Sequence, residues 1–483
     1  MKPKCWRSYR RAWRGTTARR SVSPAAARRG TFDRVRLTQS STNATYSPAT
    51  PRDAADAGLA RRIYRWDLVA LVLNCVIGAG IFGLPSKAFA LAGTYSLVAY
   101  LACAVLVVLI AVCFAEVGSR FRATGGPYIY AREAFGALAG FEVGWLLWLA
   151  RVTAFGSLAN LFVGYLGIFW PGAGAGVGRV VVMASLVIAL TALNLIGVRP
   201  SAIVTDAFTI GKLTALLFFV VAGLFFVSRA NYSAAFVPSY GQFSQAVLLL
   251  VFAFSGFEMA VIPSGEIADP GKQIPFALLV GIAIVVIVYM LVQSVAIGTL
   301  PTLATSERPI ADASAQFLGA KATAFVSVGA LVSIGGTLNS IALVTPRLLF
   351  AMAADGHFPR VVGAVHPRFR TPHVAIVLSS IVMFALTLSG SFVALASISV
   401  VIRLLTYVAT CAALLRLRRQ PGAAPAEFVA PFGRVAAVGA LALSVWLLSN
   451  STRSDASTTV MAGAVGLVFY FIFRTGRRAS RER

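Results

Sequence analysis

Apolar runs of about twenty residues recur along nearly the whole chain, and lipid would leave their backbone N–H and C=O groups without water. Only helices and closed β-barrels satisfy those groups internally. Barrel strands would read as short segments of alternating polarity. The runs here are continuous instead, and of 483 residues 58% are hydrophobic and 12% charged. That charged share is about half what a soluble domain carries. The expected fold class is all-α: a polytopic membrane protein with about twelve transmembrane helices. Spans are expected near 67–90, 93–117, 137–168, 180–198, 206–228, 245–262, 274–300, 323–350, 373–390, 392–415, 434–450 and 457–474.

Two of these runs are interrupted. The first contains Val76-Ile77-Gly78-Ala79-Gly80-Ile81-Phe82-Gly83-Leu84-Pro85. Clustered glycines followed by proline are poor helix material. A break inside the hydrocarbon is tolerated only where it is buried in protein or lines a cavity. Holding a small charged solute is the usual reason to build one. The sixth run contains Phe252-Ala253-Phe254-Ser255-Gly256-Phe257-Glu258, with a glycine and an acid in mid-span. The first and sixth spans thus occupy matching positions in two sets of five. That is the pattern of a 5+5 inverted repeat with its site at the midplane, leaving two accessory helices. The expected divisions are a basic tail at 1–64, a first repeat at 65–228, a second at 229–418, and the accessory helices with a basic terminus at 419–483.

The formal net charge is +26, and roughly half of the excess precedes Asp67. This tail is rich in arginine, has no apolar core of a secretory signal and no periodic apolar face. It reads as disordered. Its composition resembles a transit peptide, and it also fits a start codon placed too far upstream. No aromatic or zinc motif accompanies the basic run, so no nucleic-acid partner is expected. Arginines elsewhere gather in alternate loops: Ser119–Arg132, Arg199, Ala268–Lys272, Arg347–Arg370, Arg416–Arg419 and Arg474–Arg483. Opposite loops hold only Arg179, Arg229, Arg308 with Lys321, and Arg453. The positive-inside rule then puts both termini in the cytoplasm, in a bacterial plasma membrane. The cysteines (Cys5, Cys75, Cys103, Cys113, Cys411) are scattered, and His357, His366 and His373 lie between two spans. No metal centre or cofactor is expected.

Four motifs in order give the chain a family resemblance. They are the Gly78–Pro85 break; Ala115-Glu116, Ser119-Arg120-Phe121 and Thr124-Gly125-Gly126-Pro127-Tyr128; Phe254–Glu258 with Gly265-Glu266-Ile267 and Asp269-Pro270; and Arg347–Ala353 with Asp355-Gly356 and Pro359. The chain resembles the amino acid–polyamine–organocation permeases, which share the LeuT-type fold, over roughly residues 65–420. The resemblance implies a zwitterionic substrate. Its carboxylate would rest on N–H groups at Ile77–Ile81, chiefly Gly78, Ala79 and Gly80, aided by a half-helix dipole. Glycines packing one helix on another are the bland alternative. The ammonium would meet carbonyls of Val76 and of Phe252 to Ser255, that is Phe252, Ala253, Phe254 and Ser255. Phe252 matches a gating aromatic in the arginine/agmatine antiporter branch, or is one more core phenylalanine. Gly256 and Glu258 complete this half of the site.

Charged residues inside spans are expensive and mark function by default. Arg151 in span 3 is expected either to pair with Glu258, to meet an acidic group on the substrate, or to bond Glu142 or a carbonyl. Arg403 in span 10 carries no assigned role. Glu116, Glu266, Asp269 and Arg347, at the basic span ends, look like inner-gate contacts. Lys212 lies in Phe208-Thr209-Ile210-Gly211-Lys212-Leu213. This resembles the Phe-Thr-x-x-Lys-Leu pattern of proton-coupled permeases and L-type exchangers, where the amine stands in for a sodium ion between spans 1 and 8. A desolvated amine gives up its proton more readily, so Lys212 is expected to couple proton movement to transport or to tie the spans together. A lysine snorkelling to the interface is the alternative. Ser333 and Thr337 are candidate oxygen partners. No phosphate-binding loop and no nucleophile–base pair occurs. The expected function is secondary active transport of an amino acid or related amine by alternating access, with proton symport favoured. An exchanger, or a sensor of the same fold that does not transport, is the alternative.

Overall fold

The computed structural model describes residues 64–481 except 79, 122–125, 197, 233–235, 262–266, 268 and 370. The expectations for the tail, for Ala79 and for Glu266 fall outside the described residues. The regular elements are helices: α1 Arg65–Val76, α2 Gly80–Ala92, α3 Ser96–Ser119, α4 Pro127–Phe135, α5 Ala137–Leu166, α6 Gly176–Ile196 and α7 Val198–Leu224. They continue as α8 Tyr240–Phe254, α9 Pro270–Thr299, α10 Pro309–Ala354, α11 His373–Ser389, α12 Phe392–Leu417, α13 Gly433–Ser449 and α14 Arg453–Arg481. Among the described residues, eight helical stretches are long and apolar enough to cross a bilayer, and three shorter apolar ones accompany them. The order matches the expected plan. Helices α1 and α2 are the broken first span, α8 is the first part of the broken sixth, and α13 and α14 follow as accessories.

Local chemistry explains the helix starts. Ser239 and Gln242 cap α8 reciprocally: the Gln242 N–H donates to Ser239 Oγ (3.3 Å) and the Ser239 N–H to Gln242 Oε1 (2.9 Å). Ser391 accepts from the Ala394 N–H at the start of α12 (3.3 Å). Proline opens α4, α9 and α10, where its missing N–H costs nothing. Two elements depart from expectation. The eighth span begins earlier, because a short apolar helix from Pro309 joins it across a kink at Gly319 (φ 67°). That piece is too short to register as a span. Helix α4, also too short, lies between α3 and α5.

Contacts among α1, α2, α8, α9, α5, α10 and α12 form the part of the core that holds the site. The two interrupted spans meet at their breaks. A Cβ on Gly80 would lie 2.8 Å from Ala253 Cα, so α2 packs backbone to backbone on α8. A Cβ on Gly256 would lie 2.3 Å from the Cys75 carbonyl oxygen, and Gly256 has φ 118°. Only glycine meets both demands. The packing role weighed for the first-span glycines therefore holds at Gly80.

Candidate substrate cavity at the two helix breaks

A cavity of about 70 Å³ opens where the breaks meet. From the first break it is lined by Val76, Gly78 and Gly80. From the second come Phe252, Ala253, Ser255, Gly256 and Glu258, and Arg151, Thr337 and Arg403 close it from α5, α10 and α12. Ile77, Ile81 and Phe254 are buried in the surrounding core instead. Phe254 stands edge-on to Tyr100 and Tyr289.

The hydrogen bonds at the break narrow the choice of donors. The Ile77 N–H donates to Leu73 O (2.8 Å) and the Gly78 N–H to Val76 O (2.6 Å). Those two donors are spent within α1 and its turn. The N–H groups without intrahelical partners belong to the first turn of α2, beginning at Gly80. The carbonyls are also partly used. The Tyr289 hydroxyl lies 2.8 Å from Val76 O and 3.0 Å from Ala253 O, bridging the two breaks from α9. Val76 O thus already faces two donors, which departs from its expected role as a free acceptor. Phe252 O accepts from the Ser255 hydroxyl (2.8 Å) and, more weakly, from its N–H (3.3 Å). The Phe252 ring lines the cavity and stands edge-on to Phe392.

The buried charges pair differently from expectation. Glu258, 1% exposed, forms its ion pair with Arg403 of α12, not with Arg151. Arg403 Nη1 donates to Oε1. The Tyr407 hydroxyl and the Gly256 N–H donate to Oε2, each at 2.9 Å. Ser399, Arg403 and Tyr407 recur every four residues and so share one face of α12. Ser399 uses that face to donate to Ala150 O of α5 (2.6 Å), beside Arg151. Arg151 itself is 2% exposed, and its Nε and Nη2 have no hydrogen-bond partner among the described residues. Glu142 is not its partner either; Glu142 Oε1 is itself unpartnered and lies against Gly466 of α14.

Lys212 of α7 is buried. Its ammonium donates to Asn74 O (2.6 Å) and to Asn74 Oδ1, in the last turn of α1. Ser333 and Thr337, expected as its oxygen partners, do not bond it. Ser333 Oγ is buried without a partner among the described residues, and the Thr337 hydroxyl donates to Ser333 O (3.0 Å). Thr337 instead stands beside Gly78, where a Cβ would come within 3.2 Å of its Oγ1. Sequence reasoning passed over Asn74, Tyr289 and Tyr407. An amide in an apolar run four residues before Gly78 was a readable signal for Asn74.

Two further polar clusters lie near the arginine-rich loops. Glu116 of α3 accepts from Arg418 Nε (2.7 Å), Arg120 (3.3 Å) and the Ala430 N–H (2.9 Å). The Tyr128 hydroxyl donates to Asp355, and Arg132 reaches the same carboxylate (3.4 Å), joining α4 to the end of α10. Burial and the Asp355 carboxylate push the Tyr128 phenol above its ordinary range. Through these contacts Glu116 joins α3 to Arg418 at the end of α12 and to Ala430. Asp269 forms an exposed ion pair with Lys272 (3.5 Å).

Broken apolar helices meeting around a charged internal cavity define a multi-pass membrane protein of the carrier type. Comparison with known proteins narrows the class. The family profile described as amino acid permease matches residues 63–472. The chain belongs to that amino acid permease family. It is 28% identical over 427 residues to the serine/threonine exchanger SteT of Bacillus subtilis, covering 86% of this chain and 97% of that one. It is 27% identical over 438 residues to the methylthioribose transporter of the same organism, covering 86% and 94%. An uncharacterized transporter of Mycobacterium tuberculosis is 30% identical over 439 residues, covering 90% and 96%.

Proposed function

We propose that this chain is a secondary transporter that carries an amino acid or related amine across the plasma membrane by alternating access, with both termini in the cytoplasm. The observation that carries the reading is the cavity between the two breaks, where a helix N-terminus and backbone carbonyls converge on a space shut in by α5, α10 and α12. The first turn of α2 offers N–H groups and a positive dipole end to the carboxylate. The carbonyl edge of the second break serves the ammonium. Phe252 closes over the solute from that side. Residues 65–228 and 229–418 act as the two repeats that move against each other around the site.

Proton coupling is assigned to Lys212. Its ammonium holds the last turn of α1, so gaining or losing the proton would grip or release the segment just before the break. Exchange is the second reading, and the Lys212–Asn74 bonds favour it equally: two oxygens on one ammonium also make a permanent tie between α7 and α1. SteT, by its printed name, is an exchanger. Purified protein in proteoliposomes decides between them. Under symport, an inside-alkaline pH gradient drives uptake of labelled amino acid into empty vesicles, and Lys212→Ala abolishes that response. Under exchange, uptake needs unlabelled amino acid inside and ignores the gradient. Gradient-driven uptake that survives in Lys212→Ala would remove the lysine from the coupling step.

A further inference from the structure

Arg151 is buried and lines the cavity, and among the described residues its Nε and Nη2 have no hydrogen-bond partner and no carboxylate forms an ion pair with it. Leaving a buried charge unpaired costs several kcal/mol, so such a group persists where something else pairs with it. Resting on the transporter reading above, we propose that Arg151 receives a second carboxylate of the cargo, and that the site is built for a short dicarboxylic amino acid.

Three observations carry this. First, the charges lining the cavity do not cancel. Glu258 is matched by Arg403, and both its oxygens are occupied, by Arg403, Tyr407 and Gly256. Arg151 is left as the positive charge in excess. A cargo with a cationic side chain would meet that excess with no carboxylate free to offset it. Second, the cavity has two separate places for anions. Gly80, which opens α2, lines one wall, and the first-turn N–H groups of a helix have no intrahelical partner; Arg151 lines another wall from α5. A guanidinium fork matches a carboxylate with two parallel hydrogen bonds, which a carboxamide cannot reproduce with both its atoms. Third, the space is small, about 70 Å³. A compact diacid such as aspartate or glutamate fits that description better than a long or aromatic side chain.

The test compares acids with their neutral isosteres on the full-length protein in proteoliposomes. Uptake of labelled L-aspartate and L-glutamate is measured, with L-asparagine and L-glutamine as competitors and as labelled substrates. The wild type is expected to prefer each acid over its amide by about tenfold or more, a difference of about 1.4 kcal/mol. Arg151→Gln is expected to bring acid and amide within about twofold, by weakening the acids. Arg151→Lys, which keeps the charge and guards against a folding artefact, is expected to retain part of the preference. Equal handling of acids and amides by the wild type would overturn the proposal. So would an Arg151→Gln protein that loses acids and amides by the same factor, because Arg151 would then serve the head group common to both. Transport of neutral amino acids without the acids defeats this inference and leaves the transporter reading standing. Correctly inserted protein that moves no amino acid defeats both.

Discussion

Arg403 and Arg151 are two arginines at similar burial on neighbouring membrane helices, and Ser399 ties those helices together beside them. Both line the cavity, and the Arg403 Nε, like two nitrogens of Arg151, has no hydrogen-bond partner among the described residues; what separates them is the counter-ion. Arg403 sits in a closed arrangement: Glu258 takes its charge, and Tyr407 and Gly256 occupy the other carboxylate oxygen. Arg151 has unpartnered nitrogens beside a cavity. A matched charge of the first kind holds the second break onto α12, and its loss should damage the fold. An unmatched charge of the second kind costs stability while the cavity is empty, and its loss should damage binding. On the proposed reading, the same residue type does structural work in one place and binds cargo in the other.

The largest effect is expected from breaking the matched pair. Glu258→Gln leaves Arg403 charged and buried without a counter-ion, a loss of about 3–5 kcal/mol. A sharp fall in the thermal midpoint of detergent-solubilised protein checks it, and the swap Glu258→Arg with Arg403→Glu should recover part of the fall. Recovery by Arg151→Glu instead would reverse the comparison. Gly256→Ala comes next. Its positive φ and the Cys75 carbonyl at 2.3 Å combine strain and overpacking, about 2–4 kcal/mol together. Gly164→Ala, with nothing within 4 Å of the new Cβ, is the control that should leave the midpoint in place. Tyr407→Phe removes one hydrogen bond to the carboxylate, about 1.5–3 kcal/mol, while the ion pair remains. The smallest stability effect belongs to Arg151→Gln. Its midpoint should match or exceed the wild type, and added L-glutamate, expected to raise the wild-type midpoint, should not raise that of the variant. A fall as large as that of Glu258→Gln would show that Arg151 is structural after all.

The spans and both breaks were legible because their signals are local. An apolar run announces itself within its own twenty or so residues, and the glycines of the two breaks sit inside such runs. The helix before the Gly319 kink and α4 escaped notice because they are too short to register as spans. Among site residues, Gly80 and Gly256 were found by their position in the breaks. Ile77 and Ile81 were placed beside them by backbone proximity, yet their side chains turn into the core. Glu258 was recognised as needing a partner, and two cations were on offer. Its true partner lies 145 positions away, and no pattern in either span decides between Arg403 and Arg151. The Asn74–Lys212 contact spans 138 positions and raises the same difficulty.

The sequence by itself determined that this chain is a bundle of membrane helices, that the first and sixth spans break, and that several charges must be housed inside. Hydropathy, glycine and proline act through the nearest few residues, so a linear reading captures them. Which charge meets which was decided only in the tertiary structure. In lipid the outer surface of a helix is as apolar as the packed interior, so hydrophobic periodicity does not report how each helix is turned about its axis. That rotation puts Arg403 and Tyr407 on Glu258, puts Asn74 on Lys212, and leaves Arg151 facing the cavity.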